Sequence, residues 1–504
     1  MRTAGILMPI FSLPGKYGIG CFSKEAYRFV DFLKRASQTY WQILPLGPTS
    51  YGDSPYQSFS TFAGNPYFID PERLVEKGLL TANDLNSISF SDEIQYDKLY
   101  TERFALLKKA FSNASLRGKR YQDFLKNNSD WIDDYALFMA LKDSHGGISF
   151  TEWEDEFRLR DEKKLSDFCS KHKKEINFYK WLQFEFDSEW KSLKAYANQN
   201  GISIIGDIPI YVSGDSSDVW AMPELFQLDK NLRPKAVAGH PPDAFSKTGQ
   251  LWGNPLYNWS YHKKTGYKWW IRRFEKCLEL YDVIRIDHFR GFDEYYSIPA
   301  GNTTAEFGSW MPGPGADMFK RIEKSLGSMS IIAEDLGYVT DGVRKLVKDT
   351  GYPNMKILQN AFDDLGSRDE RNMTNEHLPY NYSHNCVVYT GTHDNDTLMG
   401  FLKKAKKPVK QNIASYLDIS PKASPDAMAD SLIKLAYSSP ANYCIIPMGD
   451  WLHLDNSSRI NLPGTLGDNW SWRASSGMLS RKLADSIGRI ARTYGRDNIQ
   501  NNCK

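Results

Sequence analysis

Eight short apolar runs, at 5–9, 40–44, 202–208, 283–286, 331–333, 355–358, 386–389 and 443–446, each end in polar residues or Gly/Pro and are separated by helix-like stretches. Short buried strands alternating with helical crossovers are the pattern of a parallel α/β protein, and eight of them predict a closed (β/α)₈ TIM barrel rather than an open sheet. The spacing is uneven, which locates the insertions. More than 150 residues separate the second run from the third, with amphipathic patterns at 131–141 and 178–190, so 68–200 is expected to form a mostly helical subdomain inserted after strand 2. The region 209–280 after strand 3 is expected to be a loop-rich insertion, with a Gly-, Pro- and aromatic-dense loop at 238–259. The tail at 481–494 has the period of a final amphipathic helix. The expected organisation is therefore one elaborated catalytic barrel over 1–504, without a separate C-terminal β-domain.

The 504-residue chain is 41% hydrophobic and 25% charged, the balance of a globular protein. Its net charge of +2 offers no basic field for nucleic acid or an anionic membrane, and no apolar stretch reaches the roughly 20 residues of a spanning helix. The six cysteines, at 21, 169, 277, 386, 444 and 503, are scattered without CxxC spacing; they read as reduced thiols in a cytoplasm, with neither a disulfide framework nor a metal site. Pro9 interrupts the N-terminal apolar run and no cleavage pattern follows it, which speaks against a secretory signal. GKYGIG at 15–20 lacks the spacing of a nucleotide loop, and the lysine-rich stretch 163–174 interleaves acids as a solvated helix face does. Fourteen tryptophans and 28 tyrosines, several beside Pro or Gly, suit surfaces that stack on the apolar faces of sugar rings.

Barrel enzymes place their chemistry at the C-terminal ends of the strands. There the sequence reads GDIPIYV from Gly206, RIDHFRG from Arg285, AEDLG from Ala333 and GTHDNDT from Gly391, so four strand ends deliver carboxylates to one mouth. Retaining cleavage of a glycosidic bond needs an ionised carboxylate to attack the anomeric carbon and a protonated one about 5–5.5 Å away to protonate the leaving oxygen. Arg285, two positions before Asp287 and so on the same side of the strand, is expected to keep Asp287 ionised. Glu334, amid Ile331, Ile332 and Ala333, is expected to hold its proton. Asp335 and Asp396 are expected to be structural ion-pair or capping partners.

These four segments, in this order, resemble the signature regions of the α-amylase superfamily. With 41–66 (WQILPLGPTSYGDSPYQSFSTFAGNP), 241–257 (PPDAFSKTGQLWGNPLY) and 468–473 (DNWSWR), the chain resembles the 4-α-glucanotransferases, also called amylomaltases or disproportionating enzymes. The resemblance implies transfer of a segment of a 1,4-α-D-glucan to the 4-hydroxyl of an acceptor glucan or glucose by a retaining double displacement, acting on starch, glycogen or maltodextrin without a cofactor or metal. It implies Asp287 as nucleophile, Glu334 as acid and base, and Asp394 as transition-state stabiliser. It further implies that Arg285, His288 and His393, supported by Asp207, hold the sugar in the cleavage subsite. Tyr56, Asp243, Phe245, Trp252 and Asn254 would line the glucan groove, and Tyr51 would belong to a second glucan site. Phe245, Trp252 and Trp310 are expected to form an apolar wall for the acceptor. Ala244, Tyr296, Ser309 and Asn360 depart from the family pattern, and they bear on chain-length and acceptor preference. A plain α-glucan hydrolase would use the same three carboxylates, while a catalytically silent glucan-binding protein would be expected to lack one.

Overall fold

A computed structural model describes residues 2–50, 52–86, 91–242, 246–362 and 374–497. Its strands in chain order are β1 (Thr3–Leu7), β2 (Tyr40–Gln42), β3 (Ser203–Ile208), β4 (Ala236–His240), β5 (Gln250–Pro255), β6 (Val283–Ile286), β7 (Glu294–Pro299), β8 (Ser309–Pro312), β9 (Ile331–Ala333), β10 (Asn354–Ile357), β11 (Cys386–Tyr389) and β12 (Tyr443–Pro447). Eight of them close a parallel barrel in the order β1-β12-β11-β10-β9-β6-β3-β2, each apolar run in the sequence supplying one. Alternation along the strands explains why these runs are nearly all apolar. Leu7, Ile205, Val283, Ile332, Met355, Ile357, Val387, Tyr389 and Ile445 pack together inside the barrel, while neighbours such as Ile204, Ile284, Ile286 and Ile331 point outward into the layer beneath the helices. Gly206 leaves room for that outer layer, since a Cβ there would stand 2.1–2.3 Å from the Tyr281 ring.

Between β2 and β3 the described chain is irregular to Asn65 and mostly helical from Pro66 on, ending in the long helix Lys173–Gln199 that returns to the barrel. Glu189 on this helix is fully buried and accepts the Asp70 N–H at 2.8 Å. Burial pushes its carboxyl up to about 8, with Lys77 opposing. A carboxyl raised in the fold binds its proton more tightly folded than unfolded, so its contribution falls as pH rises from the ordinary glutamate value to about 8. Stability is therefore expected to decline over that window, and Glu189→Gln, which keeps the acceptor for Asp70, to recover on the order of 1–3 kcal/mol at its alkaline end. Urea midpoints of both proteins from pH 5 to 8.5 test this; parallel curves would reject it.

The segment 238–259 is not the continuous loop expected. β5 and the end of β4 fall within it, and the two strands form one edge of a four-stranded antiparallel sheet, β5-β4-β7-β8, beside the barrel mouth. Its strands (AVAGH, QLWGNP, EYYSIP, SWMP) carry Gly and Pro and little polar–apolar alternation, so their pairing comes from cross-strand contacts rather than a local pattern. The C-terminal helix runs Arg481–Thr493. Among the described residues, no helix is long and apolar enough to cross a membrane.

Candidate active site

Strand parity builds the site. Ile205 and Asp207 on β3, Val283, Arg285 and Asp287 on and after β6, and Ile332 and Glu334 on and after β9 each alternate inward, so charged groups stand on an apolar floor. Register brings them level, Asp207 pairing with Arg285 and Arg285 with Ile332. Arg285 Nη1 lies 2.5 Å from Asp207 Oδ2 and 3.1 Å from Asp287 Oδ1, and its Nη2 lies 4.0 Å from Glu334 Oε2. One buried guanidinium thus serves three carboxylates.

The chain after β6 turns through a left-handed residue, His288 at φ 49°. That turn aims its N–H at Glu334 Oε2, 2.6 Å away, while the Leu336 N–H reaches Oε1 at 2.9 Å. Burial pushes the Glu334 carboxyl up, and Arg285 and these two N–H groups pull against it. Burial likewise drives Asp287 well above the usual carboxylate range, Arg285 opposing and the charges of Asp207, Glu334 and Asp394 adding. Arg285 thus acts on Asp287 in the direction expected, towards the ionised form, but its charge is shared with Asp207 and Glu334 and works against burial. Both carboxyls are thus raised by burial, and Arg285 opposes the rise in each.

Tyr56 donates to Asp207 Oδ2 at 2.8 Å and stacks on His393, centroids 5.2 Å apart at 15°. The other Asp207 oxygen is buried without a partner, as is His288 Nε2. Burial lowers both histidines, His288 to about 3, so both rings are neutral hydrogen-bonding groups at ordinary pH. Trp252 meets His288 edge to face at 4.9 Å and 86°. Asp394 follows β11 with its side chain 42% exposed; its Oδ1 accepts from Asn461 Nδ2 at 2.7 Å and lies 3.4 Å from His393 Nε2. Asn254 is buried, its amide pairing with Gln57 at 3.1 Å and donating to the Val212 carbonyl at 2.9 Å, so it braces the strand against the loop carrying Tyr56.

Tyr51, Asp243 and Phe245 lie outside the described residues. On the side sheet, Trp310 lies against the Arg290 guanidinium, 3.7 Å from its carbon, and meets Tyr296 at a 58° tilt with centroids 5.1 Å apart. Asp335 accepts from Asn354 Nδ2 and the Met355 N–H, tying the end of β9 to β10, and Asp396 is the expected ion-pair partner, of Arg459 and Lys404. Sequence reasoning passed over Asn461, Arg459 and Trp470. Arg459 donates to the Asp394 carbonyl at 2.5 Å, and Trp470 flanks both Tyr56 and His393 at 5.9 and 6.0 Å. Trp470 sits within the DNWSWR stretch quoted above, whereas Asn461 lies in a polar loop with no pattern of its own.

A profile of the 4-alpha-glucanotransferase family matches residues 8–479. The 4-alpha-glucanotransferase of Clostridium butyricum is 48% identical over 97% of this chain and all of its own length, and that of Streptococcus pneumoniae is 44% identical over 99% of this chain and 98% of its own. The amylomaltase of Streptococcus agalactiae, solved in complex with acarbose, superposes with a TM-score of 0.94 at 40% identity, covering 99% of this chain and all of the other. By fold, by full-length similarity and by the strand-end carboxylates, this chain belongs to the 4-alpha-glucanotransferase family.

Proposed function

We propose that the chain transfers a segment of a 1,4-α-D-glucan to the 4-hydroxyl of an acceptor glucan or glucose, with Asp287 as nucleophile, Glu334 as acid and base, and Asp394 stabilising the transition state. The observation that carries this reading is the single buried guanidinium within reach of both Asp287 and Glu334. Burial keeps a proton on the pair, and Arg285, closer to Asp287, favours the arrangement with that proton on Glu334. The Asp287 carboxylate attacks the anomeric carbon as Glu334 protonates the glycosidic oxygen, which leaves with the bond's electrons. Glu334, now ionised and held by two N–H groups, takes the proton of the acceptor 4-hydroxyl. That oxygen displaces Asp287 from the anomeric carbon and restores the α-configuration. Neutral His288 and His393 and the free oxygen of Asp207 bind sugar hydroxyls around this centre. The free thiols of Cys21, Cys277, Cys386 and Cys444 support a cytoplasmic setting.

Maltotriose separates the readings. A transferase converts it into glucose and a ladder of longer maltodextrins, a hydrolase into maltose and glucose only, and a silent binding protein leaves it intact; the ladder is expected. EDTA is expected to leave the rate unchanged, since a two-carboxylate displacement needs no metal, and strong inhibition would refute that.

Trp252, standing over His288 and 6.2 Å from Tyr211, supports a wall on which the acceptor stacks while bulk water is kept away. Trp252→Ala is expected to raise the ratio of hydrolysis to transfer several-fold on maltotetraose. An unchanged or lower ratio would remove acceptor stacking as the reason that water is excluded.

A further inference from the structure

Outside the catalytic centre, two aromatic rings at the rim of the mouth are held by one buried cation. Arg290 is 2% exposed and follows Asp287 by three residues; Tyr338 follows Glu334 by four. The guanidinium carbon lies 3.7 Å from the Trp310 centroid and 5.5 Å from that of Tyr338, and Nη1 donates to the Tyr338 carbonyl at 2.7 Å. Tyr296 supports Trp310 from the side sheet, its hydroxyl accepting the Gly308 N–H at 2.9 Å and donating to the Ala305 carbonyl at 3.1 Å. The bracing leaves Tyr338 in solvent and Trp310 partly buried. Tyr338 is 64% exposed, and Phe307 and Met311, which flank Trp310 in sequence, are 75% and 41% exposed. Large apolar groups left in solvent on a fixed mount are costly to keep unless something covers them.

We propose that Tyr338 and Trp310, clamped by Arg290, form a remote stacking platform for the distal glucose units of a long α-glucan chain. The occupant follows from continuity and chemistry. The rings are fixed by the same two chain segments that carry Asp287 and Glu334, so a glucan extending from the cleavage point over that rim meets them. Aromatic faces backed by a cation match the apolar faces and hydroxyl edges of glucose rings and offer no pairing for an anionic ligand, since the guanidinium is itself covered. The platform therefore acts on chain length rather than on bond cleavage. This inference rests on the proposed glucanotransferase reading.

The test compares kcat/KM for maltoheptaose and maltotriose in the wild type, Tyr338→Ala, Tyr338→Phe and Trp310→Ala. Losing one stacked sugar should lower the long-to-short ratio by about tenfold in the Ala variants, while Phe, which keeps the ring, retains the wild-type ratio. A ratio unchanged in both Ala variants, or a loss equal for both donors, overturns the platform. Mobility in glycogen-containing native gels, measured on Asp287→Ala with and without Tyr338→Ala, gives a readout independent of turnover. The double variant should be retarded less, and equal retardation counts against the proposal. A wild type that makes no ladder from maltotriose while Tyr338→Ala still loses retardation would defeat the transferase reading and leave the platform standing.

Discussion

Asp287→Ala and Glu334→Ala are each expected to abolish glucan transfer while leaving the barrel folded. The loss should be at least about 10²–10⁴-fold, the range of a single general acid–base group, and greater for the nucleophile. Stability should hold because both groups are buried against their own preference, burial having raised each carboxyl, so removal relieves desolvation at the same time as it deletes a partner of Arg285. The two roles separate on a donor whose leaving group needs no proton, such as an α-maltosyl fluoride. Glu334→Ala should still release fluoride from it, as the Asp287 carboxylate can attack unaided; Asp287→Ala should not. Near-normal turnover in either variant on maltotriose, or fluoride release by Asp287→Ala alone, would refute the assignment.

Arg285→Leu is expected to have the second largest effect, and on stability as well as rate. The guanidinium is 3% exposed and faces Asp207, Asp287 and Glu334, so its removal leaves buried carboxyls without a counter-charge, a change that costs about 3–5 kcal/mol. Its sign with pH is fixed. Asp287 and Glu334 are already raised by burial with Arg285 opposing, so without the cation both rise further. Carboxyls that hold protons more tightly folded than unfolded lose stability as pH increases. The penalty should therefore be smaller at pH 5 than at pH 8, and the acidic limb of kcat/KM should move upward in pH. Urea unfolding at the two pH values measures the first effect, and an equal penalty at both would contradict the shared-cation account.

What the sequence made legible follows from how local each signal is. The barrel strands are short apolar runs closed by punctuation, and all eight appear where that pattern places them. Arg285, Asp287 and Glu334 share an interior because two-residue periodicity is a property of the strand itself. The segment 238–259 has the composition of a loop because β4 and β5 have no such period, and β4 depends on a partner as distant as β7, with Ala236 opposite Pro299. The support of Asp394 was invisible for a related reason. Asn461 is 67 residues distant, and nothing in its surroundings marks it as the partner of a strand-end carboxylate. The depth of burial at Asp287, the main cause of its raised carboxyl, and the sharing of Arg285 with Asp207 are set by the closed sheet and are not visible in a run of sequence.

The left-handed backbone at His288 sets the terms on which that position can vary. Because its N–H reaches Glu334 only from positive φ, a replacement must first tolerate that conformation, which Gly, Asn and Asp do more readily than Ala or any β-branched residue. Asp would set a negative charge beside Glu334 and Gly would free the turn, leaving Asn as the replacement that removes the imidazole and disturbs the backbone least. His288→Ala therefore reports two losses at once, a ring and a peptide orientation, and the difference between the Ala and Asn variants isolates the contribution of the peptide group to proton control at Glu334.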